Sequence, residues 1–219
     1  MAKILIACEY SGIIRDAFEN RGFDAYSCDI IDTTSEQTKN SEKHIKSDVR
    51  EILDKGWDLM IGHPPCTYLS FAFTHKTRYS DERLQNKLYA YQFFLDLWKA
   101  PVKHICIENP MGYIHTGLLP CTQIIEPYYF GDEYKKKTCL WLKNLPKLEY
   151  SLGNDLFRKQ TAVTPRFTYI NCTPKSRRKL PAILKPFASA KEKSKFHKGI
   201  ANAMAEQWGD FIIKKDIKP

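Results

Sequence analysis

KILIACEYSGIIRDAFENRGFDAYSCDI, residues 3–30, is the stretch on which the reading of this chain turns. It opens on a short apolar run rich in β-branched residues and stops at the turn signal Ser11-Gly12. Residues 13–22 then carry apolar side chains at helical spacing and close on a glycine, and residues 23–30 predict a second strand ending near Asp29. Strand, helix and strand in that order make a βαβ unit, and sheets built from such units bind ligands beyond the carboxyl ends of their strands.

The pattern continues outward. Residues 33–43 read as a polar surface loop, 44–49 as a short edge strand and 50–56 as a short helix. WDLMIGHPP (57–65) supplies a strand, residues 80–100 a long amphipathic helix, and KHICIENP (103–110) the next strand. This alternation predicts an α/β fold with a doubly wound, mostly parallel sheet covered on both faces. Residues 123–130 and 137–144 predict two further strands joined by the turn GDEYKK, and residues 195–215 a closing helix with Ile200, Met204, Trp208 and Phe211 at helical spacing. The expected core therefore comprises 1–144 and 196–219. Between them, 145–195 reads as an irregular basic segment.

Thirty-four Lys and Arg against twenty-five Asp and Glu leave a net charge of +9, a balance suited to a polyanionic partner. The basic clusters KKK (135–137), KSRRK (175–179) and KEKSK (191–195) all lie in the second half. No run approaches the roughly 18 apolar residues of a membrane span, and the first residues lack a signal-peptide cleavage pattern, so a cytoplasmic protein with no membrane partner is expected. The seven cysteines include no CxxC pair, which argues against a disulfide framework or zinc ribbon. His63 with Cys66, or His104 with Cys106, could be paired as metal ligands, but the spacing of structural zinc sites does not recur; no metal is expected.

Two strand ends carry the chemistry. In GHPPCTYLS (62–70) a double proline releases the chain from the sheet and presents Cys66; in PVKHICIENP (101–110) the same position is taken by Glu108 and Asn109. A thiolate is a strong nucleophile, and a carboxyl buried beside it would have its pKa raised and hold a proton near neutral pH. A nucleophile with an acid beside it suits addition to an electron-poor ring.

Taken together, YSG (10–12), Asp29, SD (47–48), PPC (64–66), ENP (108–110) and IANAMA (200–205) resemble the DNA (cytosine-5) methyltransferase family, in order and at suitable spacing. QIIEPYYFGDEYKKKTCLWLKNLP (123–146) is similar to its short, phage-encoded members. The resemblance implies a Rossmann-like fold of the S-adenosylmethionine-dependent methyltransferase type. Cys66 would attack C6 of a cytosine, Glu108 would hydrogen-bond or protonate N3, Asn109 would support the loop and Pro65 would shape the pocket. On the cofactor side it implies Tyr10, Ser11 and Gly12 at the first turn, Asp29 on the ribose, Asp48 on the adenine amine, Pro64 nearby, and Asn202 and Ala203 at the methionine end. DNA is the implied partner, bound as a duplex with a flipped cytosine.

The chain also departs from that pattern. Ile13 and Ile14 follow Gly12 where more glycine is usual and could narrow the cofactor site, and His63 stands where glycine or an apolar residue is common. No glutamine with two arginines follows the glutamate motif; Gln123 and Lys135 to Lys137 are the nearest candidates. Only about fifty residues fill the place of a target-recognition domain. Lys136, Lys137, Arg166, Lys175, Arg177, Arg178 and Lys179 are the expected phosphate contacts, with a protein partner as a further source of specificity. Two alternatives follow: the same chemistry on free deoxycytidine nucleotides, or a catalytically idle protein that binds DNA or a host factor.

Overall fold

The computed structural model describes residues 1–37, 42–71, 80–150, 167–169, 179–181 and 196–216. At its centre is a seven-stranded sheet built from β1 (Lys3–Ala7), β2 (Asp24–Asp29), β3 (His44–Lys46), β4 (Leu59–Gly62), β5 (His104–Pro110), β6 (Gln123–Ile125) and β7 (Thr138–Lys143). Their spatial order is β3-β2-β1-β4-β5-β7-β6. The first five run parallel, and β7 lies antiparallel to both of its neighbours. Central strands of a parallel sheet are covered on both faces and so read as continuous apolar runs. Ile4, Leu5, Ile6 and Ala7 of β1 and Leu59, Met60 and Ile61 of β4 are accordingly all inaccessible to solvent.

Among the described residues three helices cover this sheet: α1 (Ile13–Glu19), α2 (Asp81–Trp98) and α3 (Lys198–Asp216). Ile4 and Ile6 face one side and pack with Ile14 and Phe18 of α1 and with Ile200, Met204 and Trp208 of α3. Leu5 and Ala7 face the other and pack with Phe94 and Leu97 of α2. The last helix thus completes a core begun by the first strand. Leu148 joins the same cluster, and the Pro146 carbonyl accepts a 2.9 Å hydrogen bond from Trp208 Nε1. Residues 145–150 therefore pack as part of the core rather than beginning the irregular segment. Within that segment β8 (Phe167–Tyr169) and β9 (Lys179–Pro181) pair antiparallel.

The helix expected over 50–56 is only a 3-10 turn, Val49–Glu51. Asp48 caps it, accepting from the Arg50 amide, and then holds the Arg50 guanidinium, so the chain leaves the helical path. The strand expected over 123–130 ends at Ile125, because Pro127 starts a 3-10 turn closed by Gly131 at φ 91°. No helix among the described residues is long and apolar enough to cross a membrane.

Candidate active site

The order β3-β2-β1 runs one way from β1 and β4-β5 the other, so the strand order reverses between β1 and β4. That switch point opens a crevice at the carboxyl ends of the two strands. At the end of β1, Cys8 takes a left-handed conformation, φ 59°, which costs a non-glycine residue roughly 1–3 kcal/mol. Its side chain lines both of two adjoining cavities.

The larger cavity, about 240 Å³, is bounded by Asp29 at the end of β2, Asp48, Pro65 from the loop after β4, and the aromatic rings of Tyr89 and Phe93 on α2. Two carboxylates beside flat apolar walls suit a nucleoside. The Asp48 carboxylate is already engaged by Arg50, whose hydrogen bond holds its pKa below the usual carboxylate range. Asp29 accepts a 3.3 Å hydrogen bond from the Ile31 amide.

The smaller cavity, about 70 Å³, is lined by Glu9, Tyr10, Ser11, His63, Glu108, Lys136 and Phe196 among others. The register Gly62↔Ile107 between β4 and β5 sets the next residues, His63 and Glu108, side by side. His63 Nδ1 lies 3.2 Å from Glu108 Oε2. The remaining ring nitrogen, Nε2, and the second carboxylate oxygen, Oε1, are both buried with no hydrogen-bond partner, an arrangement that asks for a ligand or water. Burial pushes the Glu108 pKa up, but the hydrogen bond from His63 and the charge of Lys136 outweigh it and the pKa falls. The proton-holding carboxyl expected from burial is thus an ionised one. A carboxylate only accepts, so Nδ1 of His63 carries the hydrogen between them.

Glu9 was not anticipated as a site residue. It is 4% exposed, and its carboxylate accepts from the amides of Ile14 (2.8 Å) and Arg15 (3.2 Å) at the start of α1 and from Ser11 Oγ (3.2 Å). Burial raises its pKa. Gly12 lines neither of these cavities. It has φ +72°, and a Cβ there would lie 2.3 Å from buried Arg15, so glycine is required for the turn itself. Ile14 points into the core and Ile13 packs against it, so neither narrows the larger cavity.

Cys66 is exposed and lines neither cavity, but its loop is tied to the strand that carries Glu108. Asn109 Nδ2 donates to the Pro64 carbonyl at 2.7 Å, Tyr113 N donates to the Leu69 carbonyl, and Ser70 forms a bridge with Gly112. Gly112 has to be glycine here: a Cβ would stand 2.1 Å from the Leu69 carbonyl oxygen. The C-terminal segment reaches the site through Phe196, whose ring meets that of His63 edge-on at 4.9 Å. Asn202 is exposed and Ala203 packs against the core, away from both cavities. Lys136, expected on phosphate, faces the carboxylate pocket, while Lys137 is exposed. Arg166, Lys175, Arg177 and Arg178 lie outside the described residues, and Lys179 is described only as part of β9. Of the two metal pairings considered, His63 spends Nδ1 on Glu108 and His104 spends its own on the Asn144 carbonyl at 2.8 Å.

No protein-family model and no curated protein matches the chain. One solved structure with a similar outline is described as a candidate DNA modification methyltransferase encoded within an E. coli prophage. It shares 17% identity over 65% of this chain and 46% of its own, with a TM-score of 0.42. This chain therefore spans less than half of that protein's length, and a likeness of this degree assigns neither family nor activity.

Proposed function

We propose that the protein transfers a methyl group from S-adenosylmethionine to C5 of a cytosine in DNA, through a covalent adduct on Cys66. The observation that carries this reading is the cross-tie at the switch point. Asn109 and the Ser70–Gly112 bridge fasten the loop of a cysteine to the strand of a buried glutamate, beside a nucleoside-sized cavity. Asp29, Pro65, Tyr89 and Phe93 would hold the cofactor's nucleoside, with Tyr10 and Ser11 toward its other end. When bound, the cofactor supplies an electrophilic methyl group.

The protein's part is to make the base nucleophilic. The Cys66 thiolate adds to C6, forming a carbon–sulfur bond and moving the double-bond pair to C5. Glu108 Oε1, ionised and unpartnered, accepts from the exocyclic amino group, and the charge that develops at N3 is neutralised by a proton from solvent, which is given back when the aromatic ring re-forms. After methylation a base removes the C5 proton, the double bond re-forms and the thiolate leaves. The target must first leave the stack, because neither ring carbon is reachable inside a duplex.

The test is transfer of tritium from labelled cofactor to duplex DNA, with Cys66→Ser beside the parent. Label in the parent and none in the variant is expected; equal label in both would refute the nucleophile. Cys66 lines neither cavity, which favours a second reading, a binding protein without chemistry. Under it, calorimetry would detect DNA binding but no binding of S-adenosylmethionine. Side-by-side incubation with dCMP separates DNA from free nucleotides as substrate.

A further inference from the structure

The proposed reaction leaves one cluster of reactive side chains unused. After β5 the chain makes a π-helical turn, Ile114–Leu118, that carries His115. It then passes Cys121 on its way to β6 and returns along β7 through Cys139. One ligand atom from each of these three residues lies within 4.8 Å of the other two. The Cys121 and Cys139 thiols are neighbours, and the Cys121 amide donates to His115 Nδ1 at 3.1 Å. Because Nδ1 accepts that bond, the ring's hydrogen sits on Nε2 and the one Nδ1 lone pair is taken up by the Cys121 amide.

We propose that His115, Cys121 and Cys139 form a binding site for a soft divalent cation, zinc in the first instance. Two thiolates and an imidazole are borderline-to-soft donors, the set that selects zinc over magnesium or calcium. In a tetrahedral site, zinc–sulfur bonds of about 2.3 Å and zinc–nitrogen bonds of about 2.0 Å bring the donors to within about 4 Å of one another. Closing on a metal brings the three ligand atoms from within 4.8 Å of one another to about 4 Å, and the ring gives up its hydrogen bond from the Cys121 amide for the metal to take Nδ1. Cys139 is buried while His115 and Cys121 are half-buried, so the site has a floor and an opening, and water completes the fourth position. The spacing of the three residues matches no zinc-finger pattern, which is why the cysteine spacing gave no sign of it. Register places Cys139 opposite Asn109, so a metal here would pin the π-turn behind the strand that carries the proposed acid.

The experiment uses the full chain, reduced, stripped with chelator and titrated with Co²⁺ and then Zn²⁺ against a chromophoric competitor. The expected results are one metal per chain, a thiolate-to-cobalt charge-transfer band, and displacement of that band by zinc. Cys121→Ser and His115→Gln should each weaken binding by more than the roughly 10–100-fold of an outer-shell change. Both positions are half-buried, so circular dichroism can establish that these variants are folded even if Cys139→Ala is not. A folded parent with no charge-transfer band, or a band of unchanged intensity in Cys121→Ser, would overturn the site. So would a Cys121–Cys139 disulfide that forms in air despite saturating zinc.

Discussion

A glutamate buried to 8% exposure keeps its charge only because of what stands beside it. Without the His63 hydrogen bond, Glu108 has the charge of Lys136 against the full cost of burial. His63→Ala is therefore expected to raise its pKa. Infrared difference spectra against Glu108→Gln should show a stronger protonated-carboxyl band near neutral pH in the His63→Ala background than in the parent; bands of equal strength would remove His63 from this role. His197 is a second buried group nearby, with its pKa pushed down to about 4 by burial. An unfolded histidine titrates near 6.5, so between those values the unfolded chain binds the extra proton. Stability present at neutral pH is then lost as pH falls from about 6.5 to about 4, by roughly 2–3 kcal/mol. His197→Gln should flatten that limb of the urea-midpoint profile. An unchanged slope would mean that His197 is not held neutral.

The elements were legible where burial is symmetrical. Residues 3–30 read as strand, helix and strand because β1 and β2 are covered on two faces and α1 on one, so apolar period and structure coincide. Legibility failed where one side chain redirects the backbone. Asp48 turns 49–51 into a 3-10 turn by capping it, and Glu9, an acidic residue past a strand end, is buried because α1 offers it two amides. The His63–Glu108 pair needs the β4–β5 register, which the separate segments do not contain. That the two strands would end at one edge of the sheet was readable; that Asn109 would tie them was visible only as support for a loop. Asn109→Ala removes a buried hydrogen bond and leaves the Pro64 carbonyl without it, a loss of about 1–3 kcal/mol. The same change should speed hydrogen exchange at the Leu69 and Ser70 amides, which bond to the Cys66 carbonyl. Exchange at the parent rate would show that the loop is held without Asn109.

On the scale of the whole molecule, the core is closed by its last helix. Trp208 is inaccessible to solvent and packs in the cluster that holds Ile4, Ile6 and Phe18, so the two ends of the chain share one cooperative unit. Trp208→Ala should cost about 3–5 kcal/mol and lower the urea midpoint for the entire sheet in a single transition. A separate early transition confined to α3 would show that the helix is an appendage. The same closure brings Phe196 onto His63, so the C-terminal segment supplies part of the pocket wall. The proposed reaction needs Cys66 and Glu108 on one pyrimidine. Its most direct test is mass spectrometry after incubation with S-adenosylmethionine and a duplex containing 5-fluorocytosine, whose C5 fluorine cannot be removed as a proton and so strands the adduct. The expected result is a DNA adduct on the peptide bearing Cys66, absent in Cys66→Ser and strongly reduced in Glu108→Gln. No adduct, or one on Cys8, would contradict it.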